Sequence, residues 1–185
     1  YTQLLWNGIP LNSLSTGIVD LGLFPTNIFS EIKLNSGGNS TLSGSGAIAG
    51  SIQLNNSLDY NPRYKWKIDL TKGSFGLEKK LFSYRFGDNK TALQIQYLNS
   101  ESQNDFEYIN TGLPNSPLET QENASKSAKQ YILNYGYQNK KNKIGFNLWQ
   151  SNNYREVPVG MLSNNPQAKQ WDDAFRTKFF YKQIG

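Results

Sequence analysis

The chain has no cysteine and no histidine among its 185 residues, and a single methionine. Without cysteine there is no thiol nucleophile, no disulfide and no thiolate metal site. Without histidine the usual imidazole base and the common zinc ligand sets are missing. No run of 18 or more apolar residues occurs, so no helix spans a bilayer. That leaves open a membrane barrel, whose strands need only about ten alternating residues each. Acidic residues are also sparse: 14 against 19 Lys and Arg, a net charge of +5. The basic residues are scattered among Asn and Gln rather than clustered, which argues against a nucleic-acid partner.

What is abundant is aromatic. Phe, Trp and Tyr make up 14% of a chain that is only 37% hydrophobic. From about residue 63 these rings fall at alternate positions. "YKWKIDL" sets Tyr64, Trp66, Ile68 and Leu70 on one face against Lys65, Lys67 and Asp69. "KLFSYRF" aligns Phe82, Tyr84 and Phe86, with Leu81 on the polar side, and "TALQIQY" aligns Thr91, Leu93, Ile95 and Tyr97 against Gln94 and Gln96. "QYILNYGYQ", "KIGFNLW" and "AFRTKFFYK" continue the pattern, the last turning Arg176, Lys178 and Lys182 away from its rings. The spacing predicts about six antiparallel strands with one greasy face.

The connections are uneven. "GDNK" and "QNKKN" are tight, whereas residues 99–128 and 151–170 form long polar segments. Short and long links alternate, as in outer-membrane barrels with tight periplasmic turns and long outer loops. The short "KGSFG" is the exception. A soluble β-sandwich, such as a carbohydrate-binding or adhesin module, also alternates and stands as the alternative.

Residues 1–58 differ: they are rich in Gly, Ser and Leu, with few charges. "TQLLWNGIPLN" reads as a strand, an Asn7-Gly8 turn and a return, and "TNIFSEIKLNSGG" as a helical turn at Thr26 or Asn27 leading into a strand. "NSTLSGSGAIAGSIQL" reads as a short helix or turn followed by a strand. "GSGAIAG" has G-x-G-x-x-x-G spacing, which misses the dinucleotide fingerprint, and no phosphate-loop lysine follows.

"LLWNGIPLN", "STGIVDLGLFP", "SEIKLNSGG" and "NSTLSGSGAIAGSIQL", in this order and at close spacing, resemble the second half of the plug domain of TonB-dependent outer-membrane receptors. Asn7, Lys33, Ser36, Ser43 and Ala49 stand where that family more often has Asp, Glu, Arg, Tyr and Gly. The resemblance implies a mainly β chain: a small α+β plug portion over residues 1–58, then antiparallel strands of an incomplete transmembrane β-barrel over residues 59–185. A family barrel closes with about 22 strands; six strands cannot close one. Both ends of the chain read as cuts, one inside "TQLLWNG" and the other at "FFYKQIG".

The resemblance further implies active import across the bacterial outer membrane, with cobalamin or a ferric siderophore as the small-molecule substrate. The TonB–ExbB–ExbD complex would supply energy through an N-terminal segment not found here. Outer-membrane lipid surrounds such a barrel, and a surface lipoprotein is a further expected partner. Asn12, Ser13, Leu14, Ser15 and Thr16 correspond to a plug loop that touches substrate. Gly44, Gly46 and Gly50 are expected to form the hinge between plug and wall. No catalytic set, cofactor or metal site is expected. Asp172-Asp173 reads as a solvated pair, and Glu101, Asp105, Glu107, Glu119 and Glu122 as a hydrated loop without the ordered spacing of a calcium site. Trp149, Tyr154 and Arg155 are expected in an aromatic girdle at the membrane surface, and Arg176, Lys178 and Lys182 on the lumen side.

Overall fold

The computed structural model describes residues 2–13, 16–37, 50–61, 63–158, 160 and 168–184. The chain divides into two units, Tyr1–Leu58 and Asp59–Gly185.

In the first unit, β1 (Thr2–Trp6) turns at Asn7 and Gly8 into β2 (Ile9–Pro10), pairing Trp6 with Ile9. Both turn residues take positive φ, +46° and +86°, the conformation a two-residue turn between twisted strands requires. Two single 3-10 turns follow, Leu21–Leu23 and Thr26–Ile28, the first capped by the Asp20 carboxylate, which accepts from the Gly22 N–H at 2.9 Å. β3 (Glu31–Ser36) pairs antiparallel with β4 (Gly50–Asn55), and β4 runs parallel to β1. The sheet order is β2-β1-β4-β3.

Leu4, Leu5, Trp6, Ile28 and Leu54 are buried here. A polar staple joins them. Trp6 Nε1–H donates to Asn56 Oδ1 at 3.0 Å, Asn56 Nδ2 donates to the Ile28 carbonyl at 2.8 Å, and the Asn56 N–H donates to Asn7 Oδ1 at 2.9 Å. A fully buried indole N–H needs such a partner.

The second unit is one antiparallel meander. β5 (Arg63–Lys72), β6 (Glu78–Gly87), β7 (Thr91–Ser102), β10 (Lys126–Gln138), β11 (Asn142–Glu156) and β12 (Lys169–Gln183) lie side by side in sequence order. A hairpin of β8 (Glu107–Ile109) and β9 (Leu118–Thr120) rises from the long connection between β7 and β10. The registers run without a bulge across every pair, so each residue's face is fixed along the whole sheet. One cross-strand row reads Trp66, Tyr84, Ile95, Leu133, Leu148 and Thr177; the next, on the opposite face, reads Lys67, Ser83, Gln96, Ile132, Trp149 and Arg176.

The rings face outward. Tyr64, Trp66, Phe175 and Phe179 are 65–79% exposed, while Gln94, Gln130, Asn134 and Asn147 on the other face are buried. A soluble sandwich would stack two sheets with the rings between them. All six long strands instead share one sheet. A sheet with its large apolar side chains exposed and its amides buried is inverted for water and correct for lipid.

The tight turns at one end use the same device twice. Asp88 Oδ1 accepts from the N–H groups of Lys90 and Thr91, and Asn139 Oδ1 from those of Lys141 and Asn142. Gly73–Leu77 and the two long connections occupy the other end. β5 and β12 form the sheet's edges. An open strand edge is prohibitive in lipid, where unpaired backbone groups cost several kcal/mol each.

Candidate functional site

The polar loop after β2 is held by its first residue. Asn12 Oδ1 accepts from the Leu4 N–H at 2.8 Å, and Asn12 Nδ2 donates to the carbonyls of Thr2 and Gly17 at 3.1 and 2.9 Å. Its amide group therefore ties the loop to β1 through Thr2 and to itself through Gly17. The backbone closes behind it: Ser13 N–H donates to the Ile18 carbonyl, and Gly17 N–H to the Ser13 carbonyl. Gly17 has φ +68°, which this turn requires. Ser13 and Thr16 are exposed, with Ser13 Oγ accepting from the Thr16 N–H at 3.4 Å. Thr16 Oγ1 likewise accepts from the Ile18 N–H at 3.3 Å, so both hydroxyls brace the loop on a frame set by Asn12. Leu14 and Ser15, which the sequence also singled out, lie outside the described residues.

Of the three hinge glycines, Gly44 and Gly46 lie outside the described residues. Gly50 opens β4, with φ +142°; a Cβ there would stand 2.5 Å from the Asn35 carbonyl oxygen. Its need for glycine is therefore local, a close approach of β4 to β3 inside the first unit's sheet. The boundary between the units falls eight residues later, after Leu58.

The polar face of the second unit carries an amide ladder. Asn147 Nδ2 donates to Asn134 Oδ1 at 2.6 Å, and Asn134 Nδ2 to Gln94 Oε1 at 3.2 Å, all three buried. A neighbouring set centres on Trp149, whose Nε1–H donates to Gln130 Oε1 at 2.8 Å while Gln130 Nε2 donates to Asn153. The Arg176 guanidinium lies over the Trp149 ring, 4.7 Å from its centroid, and donates to Ser151 Oγ at 3.2 Å. Trp149 is therefore not a girdle residue. It shares the face of Gln130 and Arg176 and is fully buried, because β11 register puts odd-numbered residues on the polar side. Arg155 falls on the same side, bound to Gln170 Oε1 at 2.7 Å. Tyr154 does face outward, packed at 5.4 Å on the exposed ring of Trp171. Arg176, Lys178 and Lys182 occupy the polar face, as their spacing implied.

Asp172 and Asp173 point to opposite faces of β12, and Asp173 accepts from Asn152 Nδ2 at 2.8 Å. In the long connection, Glu119 gathers Tyr108 Oη–H at 3.1 Å and Asn110 Nδ2 at 2.8 Å. Desolvation, then the bond to Glu119, raises the Tyr108 phenol above its ordinary range. Phe75, Phe106 and Tyr108 stack edge to face beside it. No cluster of acids that could hold a metal occurs among the described residues. A groove of about 630 Å³ lies at the same end, lined by Lys72, Glu78, Glu101, Ser127 and Tyr154 among others. Those five side chains belong to the outward face, while Ser102 and Lys126, which also line the groove, belong to the polar face.

Residues 1–51 match the family model "TonB-dependent Receptor Plug Domain". Among solved structures, "Copper transporter OprC" is similar at a TM-score of 0.66 and 14% identity, over 83% of this chain. The chain spans 23% of that structure's length. No curated protein matches. The location that goes with a plug of this family and such wall strands is the bacterial outer membrane.

Proposed function

With residues 1–51 belonging to the plug family of TonB-dependent receptors, we propose that the chain is the later plug (residues 1–58) and the first six wall strands (residues 59–185) of a receptor that imports a scarce nutrient. Cobalamin or a ferric siderophore is the cargo proposed; the copper in the structural neighbour's name is the competing one. Energy comes from the TonB–ExbB–ExbD complex acting on the receptor's N-terminal segment, and a surface lipoprotein is a further partner. The observation that carries this reading is an inverted wall in the same chain as a plug segment: rings 65–79% exposed on one face, buried amides on the other.

Cargo capture is assigned to the loop from Asn12 to Thr16. Asn12 frames it, and the hydroxyls of the exposed Ser13 and Thr16 each accept from a backbone N–H of the loop. The test replaces Ser13 and Thr16 by alanine in the complete receptor and measures binding of cyanocobalamin and of a ferric siderophore. Affinity should fall about tenfold for the true cargo, the loss of one or two good hydrogen bonds. Unchanged affinity for both removes the loop from the site.

A further inference from the structure

One cross-strand row of the wall carries almost no side chain. At the tight-turn end, on the face away from the rings, the registers set Gly87, Ala92, Gly136 and Gly145 side by side on β6, β7, β10 and β11. Ala92 and Gly136 are nevertheless buried. Glycine weakens a strand interior, and it marks places where another backbone comes close. At Gly87 that backbone is in view. A Cβ there would stand 2.5 Å from the Asp59 carbonyl oxygen and 2.6 Å from that of Asn61. At Gly145 a Cβ would strike the Phe180 ring of β12. The row is a trough with chain lying in it.

The occupant is the start of the second unit, Asp59–Asn61. The Asp59 carboxylate closes this segment into a turn, accepting from the Asn61 N–H at 2.9 Å and from Asn61 Nδ2 at 2.7 Å. The Asn89 N–H, from the turn between β6 and β7, donates to the Tyr60 carbonyl at 2.6 Å. Asn89 takes φ +69°, and its own carbonyl accepts from Gln138 Nε2 at 3.1 Å. The Tyr60 carbonyl carbon lies 3.2 Å from where a Gly87 Cβ would be, at β6. Its ring meets Lys143 of β11, whose ammonium is 4.8 Å from the ring centroid. The side chain therefore reaches across β7 and β10, over the ground that Ala92 and Gly136 leave clear. The Tyr60 hydroxyl is buried and has no partner among the described residues, so packing rather than hydrogen bonding holds the ring.

We propose that this seat is a fixed anchor. When the first unit is displaced during import, the displacement ends at Leu58 and Asp59–Asn61 stays in the trough. The proposal rests on the receptor reading above. Contacts with β6, β7 and β11 spread a pull on the chain over several paired strands. Without them the pull would pass straight into β5 and open its pairing with β6, since local opening starts where few contacts hold.

The test places one cysteine at a time in the complete receptor, freed of any others. Ala92→Cys reports on the trough, and Ser51→Cys, at a residue 2% exposed in β4, on the first unit. Each is refolded into phosphatidylcholine vesicles and labelled with a membrane-permeant maleimide across a urea series. The Ser51→Cys probe should react at lower urea than the Ala92→Cys probe. At the concentration that opens the first unit, adding Tyr60→Ala should speed labelling of the Ala92→Cys probe about tenfold or more. Tyr60→Phe should leave it protected, and Lys143→Ala, which spares the trough itself, should land between. Reaction of both probes at one urea concentration means that the segment leaves with the first unit, and overturns the proposal. So does an Ala92→Cys probe that neither Tyr60→Ala nor Lys143→Ala exposes. A protein absent from the outer-membrane fraction removes the receptor reading and import with it; the order of labelling still decides whether the segment is anchored.

Discussion

Ile95 lies near the centre of the wall's aromatic face, with Tyr84 and Leu133 beside it across the sheet and Leu93 and Tyr97 along its strand. It is 38% exposed. In water, an arginine at such a surface position changes stability by no more than about 0.5 kcal/mol. At a bilayer midplane the same change costs about 2–4 kcal/mol. The strand also supplies its own depth control. Asn99 is four residues further along the same face of β7. At about 3.4 Å per residue and a tilt of about 40° it lies roughly 10 Å higher along the membrane normal. An apolar band of about 25 Å has a half-height near that, so arginine at Asn99 should cost about 0–1 kcal/mol. Both variants are made in the complete receptor, refolded into phosphatidylcholine vesicles and titrated with urea. Ile95→Arg should lose about 2–4 kcal/mol and Asn99→Arg at most about 1. Equal small losses at the two positions would refute the lipid-facing assignment and return the sheet to water.

The remaining predictions concern particular contacts. Gly50→Ala should reduce folded yield and protease resistance, because φ +142° and an Asn35 carbonyl 2.5 Å from the new methyl leave it no relaxed geometry. Asn56→Ala should destabilise the first unit by about 1–3 kcal/mol, since it orphans the buried Trp6 indole N–H and the Ile28 carbonyl together; tryptophan fluorescence during denaturant unfolding reads the loss. Tyr108 holds its proton more tightly in the folded loop than in an open chain. Its stabilising contribution is therefore complete below the ordinary phenol value of 10.0 and is lost as pH rises through the raised one. Ultraviolet titration should show late-titrating tyrosines, Tyr60 and Tyr108, of which Tyr108→Phe removes one.

The wall was legible because its chemistry has period two and little else. Tyr64, Trp66, Ile68 and Leu70 alternate with Lys65, Lys67 and Asp69 in the sequence and on the sheet alike. A strand edge that must pair and a face that must meet lipid leave one register. The Asn7-Gly8 turn was equally plain, since few residues other than Asn and Gly accept two successive positive φ angles. Leu81, an apolar residue on the polar side, looked like an error in the pattern. The structure buries it, paired across the strands with Leu98 on that same face.

Trp149 shows where such reading stops. A tryptophan near the end of a membrane strand suggests a girdle, because the indole is amphipathic. Parity decides it: Phe146 and Leu148 are outward, so Trp149 must be inward. Once inward it needs an acceptor for its N–H and a partner for its ring, and Gln130 and Arg176 supply them from two different strands. Neither contact is visible in local sequence, since both depend on registers between segments 19 and 27 residues away. The same holds for charge. A net +5 spread thinly along 185 residues reads as ordinary solubility. Only when cross-strand pairing sorts each charge by face does the polar side show eleven basic residues against two acidic, beside a balanced four against four on the aromatic side. Lys143 shows how such a charge is placed: it stands opposite Lys182 across the strands, and its ammonium lies 4.8 Å from the Tyr60 ring centroid, a contact that asparagine could not make.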